Sequence, residues 1–173
     1  MKRQTVFLAA GIFFLAAAAH GAPTPKTAKA DLVDAQGQPV GTATFQEVGH
    51  GVRINLEVRN LPPGVHAFHI HSAGKCDLPD FKSAGPHFNP EGKKHGTNNP
   101  QGAHAGDLPN LVVGTNGTGR LVTVAHGVTL GEGTNSLFQT DGTSVVIHAG
   151  KDDNKTDPSG NSGDRIACGG VTH

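Results

Sequence analysis

The sequence predicts an all-β domain, an antiparallel sandwich or barrel built from short strands. Three observations point there. Apolar and polar residues alternate with period two in several short runs, as they do on a strand with one face buried. Gly- and Pro-rich dipeptides separate those runs at regular intervals, and 25 glycines are spread through the 173 residues. No stretch of the body carries a helical period, and strands punctuated in this way fold as a sandwich or barrel.

Taken in order, Ala28-Lys-Ala-Asp-Leu-Val opens the body with a loose alternation, and Gln36-Gly-Gln-Pro turns it. Val40 to Val48 follows as a second strand, reversed at His50-Gly51. Val52-Arg-Ile-Asn-Leu-Glu-Val alternates cleanly and is the clearest half-buried strand. Pro62-Pro63-Gly64 ends it, because proline supplies no N–H to a ladder. Val65 to His71 is the next strand. Leu111–Val113, Gly119–Val124 and Ser144–His148 come later, with Asn116-Gly117 and Asp141-Gly142 as turns and a short terminal strand from Arg165.

Two segments fall outside this pattern. Residues 1–22 place Lys2 and Arg3 before an apolar run from Val6 to Ala19, with Ala17-Ala18-Ala19 as small residues for cleavage. The run is short for a membrane span and no stop-transfer pattern follows, so it is expected to be a secretory signal peptide. Residues 23–27 then form a mobile tether, and 28–173 form the domain. A periplasmic or secreted location follows, with no membrane association once the signal is removed. Removing Lys2 and Arg3 from the 14 basic residues leaves 12 against 14 acidic, a formal charge of −2. That balance argues against nucleic acid as a partner. Cys76 and Cys168 both lie in the exported part, where two cysteines are expected to pair.

The second segment, Ser72 to Asp107, has no periodicity and is rich in Gly and Pro. A structureless loop of that length needs something other than a hydrophobic face to order it. It carries His87, His95, His104 and Asp107, three imidazoles and a carboxylate that suit a closed tetrahedral Zn²⁺ site. Taken singly, each of these histidines is equally compatible with a solvated loop residue. On the strand Phe68-His-Ile-His, His69 and His71 share a face because i and i+2 project together. With His148 at the end of Val145-Val-Ile-His they make an all-imidazole set suited to copper. His87 has two ring nitrogens and can complete that set while serving the zinc.

FHIH, SAGPHFNP, HAGDLPN, VVIHAGKDD and GDRIACGG, in that order, resemble copper/zinc superoxide dismutase over roughly residues 28–170. The resemblance implies an eight-stranded antiparallel Greek-key barrel with two long functional loops, one copper and one zinc per subunit, and superoxide as substrate. It makes His69, His71, His87 and His148 the copper ligands, and His87, His95, His104 and Asp107 the zinc ligands. It implies an outer-shell role for Asp152, hydrogen-bonded to His69 and His95, with Asp153 one residue away in register. Arg165 becomes the arginine beside the copper and Cys76–Cys168 the intramolecular disulfide. Related exported enzymes occur as monomers and as homodimers. Pro158-Ser159 stands where familiar members have a lysine and a threonine, which leaves Lys75, Lys82, Lys151 and Lys155 to steer the anion. His20, His50, His66, His126 and His173 are expected to be surface or structural. Two rivals remain: a metal carrier on the same fold, which would lack a ligand, the bridge or the arginine, and a zinc-stabilised adhesion domain, which would not explain three histidines converging from strands.

Overall fold

Alternation decides which face of each strand is buried. In β3 (Gly51–Val58) Val52, Ile54, Leu56 and Val58 are buried while Arg53 and Glu57 face water. β1 (Thr27–Asp34) and β2 (Pro39–Val48) do the same with Ala28, Ala30 and Leu32, and with Val40, Ala43 and Phe45. These inward side chains join Phe68, Ile70, Leu111, Val145 and Ile147 in one apolar core. The computed structural model describes residues 26–173. The expected signal at 1–22 and residues 23–25 of the tether lie outside the described residues.

Among the described residues there are nine strands and no α-helix. β4 (Gly64–His66), β5 (Phe68–His71), β6 (Leu111–Val113), β7 (Gly119–Ala125), β8 (Ser144–His148) and β9 (Arg165–Gly170) complete the set. They form one antiparallel sheet in the order β4-β6-β7-β3-β2-β1-β9-β8-β5. The expected count of eight becomes nine because Val65–His71 is not one strand. It breaks at Ala67, whose N–H donates to Gly150 O and whose carbonyl accepts from His148 N. One half pairs with β6 and the other with β8, so the two edge strands of the sheet are consecutive in the chain. This bend closes the barrel.

β8 is buried along its whole length, which alternation alone does not require. Val145 and Ile147 face the core, while Val146 packs outside it with Phe81, Ala84 and Cys168 in a second, smaller cluster. The segment after β5 therefore folds back over the outer face of the barrel. The Cys76–Cys168 disulfide ties it there, with Cα atoms 5.7 Å apart and a sequence separation of 92. Backbone bonds Ile70 N to Gly106 O, Phe88 N to Ile70 O and Gly106 N to Phe88 O stitch the rest of the loop to β5. Gly106 has to be glycine here: a Cβ would collide with Ile70 O.

Between β8 and β9 the register slips by one residue. Ile147 faces Ala167 but His148 faces Arg165, so Ile166 bulges out of the ladder. A bulge re-aims the side chains beside it, and this one brings Arg165 opposite His148.

Candidate metal centre

On β5 the core takes Phe68 and Ile70, so His69 and His71 point outward beneath the covering loop, both almost fully buried. His148 at the end of β8 and His87 from the loop meet them there. The four ring centroids lie between 4.0 and 6.4 Å apart.

Hydrogen bonds fix which nitrogen of each ring carries the proton. His71 Nδ1 is 2.8 Å from Gly85 O, and His148 Nδ1 is 3.2 Å from Gly163 O. A carbonyl can only accept, so both Nδ1 atoms carry protons and both Nε2 atoms present lone pairs. His69 Nε2 donates to Asp152 Oδ2 at 2.8 Å, which leaves Nδ1 as its lone pair. His69 Nδ1, His71 Nε2, His148 Nε2 and His87 Nε2 are each buried and without a partner. An unsatisfied buried polar atom is costly, and four of them at one place suit a common acceptor of lone pairs. One ligand atom from each residue lies within 4.8 Å of the others. Burial favours the neutral form of three of them: it depresses the pKa of His71 well below its ordinary value, that of His87 to about 4 and that of His148 to about 3. Neutral imidazole is the form that binds a transition metal.

The neighbouring set is built around a carboxylate. Asp107 Oδ1 lies 2.9 Å from His87 Nδ1, 2.9 Å from His95 Nδ1 and 3.2 Å from His104 Nδ1. Its other oxygen accepts from Gly96 N at 2.8 Å and His104 N at 2.9 Å. Ligands about 2.0 Å from a tetrahedral Zn²⁺ are about 3.3 Å from one another, so this knot already has the scale of a closed zinc site. Burial opposes ionisation of Asp107, but the three imidazoles and the Gly96 N–H outweigh it and hold the carboxyl far below its ordinary range. Burial likewise disfavours protonated His95, yet Asp107 and Asp152 outweigh it and raise its pKa to about 9.

Asp152 joins the two sets. Its carboxylate accepts from His69 Nε2 at 2.8 Å and from His95 Nε2 at 2.9 Å, so one rigid group orients a ring in each. Gly160 leaves room for it, since a Cβ at that position would overlap the carboxylate. Asp153 is exposed and instead accepts from the backbone of Lys155 and Thr156, which settles the register. Arg165 donates to Phe81 O at 2.6 Å and Gly85 O at 2.8 Å. Gly85 O thus serves both His71 and Arg165.

The family model described as copper/zinc superoxide dismutase (SODC) matches residues 39–171. The chain belongs to the copper/zinc superoxide dismutase family. A relative named superoxide dismutase [Cu-Zn] 1 from Aquifex aeolicus is 54% identical over 144 residues, covering 82% of this chain and 85% of its own length. Superoxide dismutase [Cu-Zn] from Caulobacter vibrioides is 42% identical, with 77% and 78% covered. The crystal structure of a SOD-like protein from Bacillus subtilis superposes with a TM-score of 0.79 at 42% identity, covering 82% of this chain and 96% of that one.

Within this superoxide dismutase fold, every ligand expected from the sequence falls into one of the two sets. Asn110 was not anticipated: it clamps the Asp152 backbone from both sides, at 2.8 and 3.0 Å. Asp157 was also missed, although it accepts from His95 N at 2.8 Å and pairs with Lys94 at 3.2 Å. The remaining described histidines stay outside. His66 is buried, held by His148 O and Pro62 O, each at 2.8 Å. His50 and His126 stack on each other and His173 stacks on Phe138. Among the lysines considered for steering, Lys82 lines the recess that holds Arg165, together with Pro79, Asp80, Gly163 and Asp164.

Proposed function

We propose that the chain disproportionates superoxide outside the cytoplasm, converting two O₂•⁻ and two protons into O₂ and H₂O₂. Copper is assigned to His69, His71, His87 and His148, and zinc to His87, His95, His104 and Asp107. Copper held by those four rings would supply reversible one-electron chemistry, and zinc held by the second set would supply a fixed positive charge. The observation that carries the reading is the set of four buried imidazole nitrogens with no hydrogen-bond partner.

The side chains have distinct tasks. His69, His71 and His148 hold their lone pairs in place through Asp152, Gly85 and Gly163. His87 is the ring that belongs to both sets, and its Nε2 is the atom that carries a proton between the two half-reactions. Arg165 orients the anion by hydrogen bonds and concentrates it beside the site. Lys82 adds positive potential in the same recess.

Residues 1–22 act as the export signal, which puts the enzyme in the periplasm or in the medium; the expected tether of 23–27 is shorter, because Thr27 already pairs with Gln46 in the β1–β2 ladder. An extracellular superoxide dismutase [Cu-Zn] from Brugia pahangi, 40% identical over 153 residues, is one of the similar proteins. The test is superoxide disproportionation by the mature protein loaded with copper and zinc, followed from low to high salt. A rate near the diffusion limit that falls with salt is expected. No turnover at full metal loading would overturn the reading.

A further inference from the structure

We infer that Phe81 is a positioning residue for Arg165, acting through its own backbone carbonyl. This rests on the role proposed above for Arg165 as the guide for the anion. The observation is a junction of three features at one residue. Phe81 adopts a left-handed backbone conformation, φ 54° and ψ 22°. That conformation is uncommon for a bulky side chain and persists only where the surroundings over-determine it. The ring is fully buried, packed with Ala84, Val146 and Cys168 and flanked by Val33 and Cys76. The carbonyl that results from this conformation accepts from Arg165 Nη1 at 2.6 Å.

The parts depend on one another. Val146 and Cys168 belong to β8 and β9, the strands that carry His148 and Arg165, so the ring is anchored to the same rigid sheet as the site. With the ring fixed there, the main chain on either side is held by Phe81 N to Asp77 O at 3.0 Å and Ala84 N to Phe81 O at 3.1 Å. Phe81 O and Gly85 O then grip the two terminal nitrogens of Arg165 from two points of the loop. A fork held at both tips loses its freedom to rotate. Gly85 O is also the acceptor for His71, so the grip that Phe81 O completes holds the guanidinium at a fixed place relative to a ring of the imidazole set. Nothing in the side chain of Phe81 touches substrate; its effect passes through the carbonyl.

The experiment compares Phe81→Ala and Phe81→Leu with the parent, all as copper- and zinc-loaded protein with the disulfide intact. The readout is the rate at which phenylglyoxal modifies Arg165, measured by peptide mass spectrometry. The exposed Arg53, Arg59 and Arg120 serve as internal references. Leu56→Ala is the control, because it thins the main core and leaves the cluster around Phe81 intact. Phe81→Ala is expected to raise Arg165 labelling several-fold relative to the reference arginines, and Phe81→Leu to raise it less, while Leu56→Ala lowers the melting temperature with Arg165 labelling unchanged. If Phe81→Ala does not fold, Phe81→Leu alone decides by the same comparison. Parental labelling of Arg165 in the folded Phe81 variants would overturn the inference and reduce Phe81 to a packing residue. Labelling does not depend on turnover, so failure here is distinct from failure of the proposed activity.

Discussion

The two ligand sets lie side by side and share His87, yet they are held together by different forces. In the His69, His71, His148 set the rings come from strands, and neutral backbone carbonyls or the Asp152 carboxylate fix each one from behind. Their lone pairs are left over and point at one place. In the His95, His104, Asp107 set the side chains come from a loop, and a single carboxylate gathers them. The first set is organised by the fold before any ion arrives. The second organises its own loop through charge. A site that must present one geometry to two oxidation states gains from the first kind of support, and a site whose task is to order a long loop gains from the second.

Removing one member of the strand-borne set should therefore have the largest effect on turnover and little on the loop. His148→Ala is expected to lower superoxide turnover by more than about 100-fold, since even outer partners of metal ligands are worth about 10–100-fold. One equivalent of zinc should remain bound, as read by elemental analysis. Loss of both metals would show that the sets are not separable in this way.

Asp152→Asn tests the group that joins them. The amide cannot accept from both rings with a full charge, and the affinity of both sites should fall by about 10–100-fold. Competition with a chelator of known strength measures this for each metal. A change confined to one site would mean that Asp152 serves only one ring in solution.

The metal-free protein should show the contrast in its pH dependence. His87 and His148 have folded pKa values depressed to about 4 and about 3, below the ordinary 6.5, and His71 is depressed too. The unfolded chain takes up these protons first as pH falls, so stability is lost from about 6.5 downward. His95 runs the other way: raised to about 9, it contributes stability that is complete below 6.5 and lost as pH rises through 9. Urea unfolding of chelated protein should thus show maximal stability near pH 6.5 with a decline on both sides. A flat profile from about pH 4 to about pH 9 would contradict these charge assignments.

The smallest expected effect belongs to Lys82→Ala. The lysine is exposed and already paired with Asp80 at 2.8 Å, so it contributes potential and no contact. Turnover at low salt should fall by about twofold and be unchanged at high salt, as screening predicts. An equal loss at all salt concentrations would point to a structural role for Lys82.

Much of this was legible because side chains announce it. Alternation in Val52–Val58 names a buried face, and His69 and His71 two residues apart must share a side of a strand. Three histidines and an aspartate in an otherwise unpatterned loop point to an ion as its organiser. Other parts left no such mark. Gly85, Gly163 and Phe81 act through carbonyls, which every residue carries, so no residue type reveals them. The break at Ala67 depends on hydrogen bonds with His148 and Gly150, far away in sequence, and Val65–His71 reads as continuous without them. Asn110 and Asp157 are common loop residues whose partners are set only by the folded path. Asp152 was found by resemblance, and its geometry gives the physical reason for it.

Whether His87 serves both sets with one ring is tested most directly by placing copper in both sites. An imidazolate between two Cu²⁺ ions couples their spins antiferromagnetically, so the second equivalent of copper should largely abolish the paramagnetic resonance signal of the first. The same titration of His87→Ala should give two independent signals. Two independent signals from the parent protein would mean that the sites do not share His87, and the bridged centre would have to be abandoned.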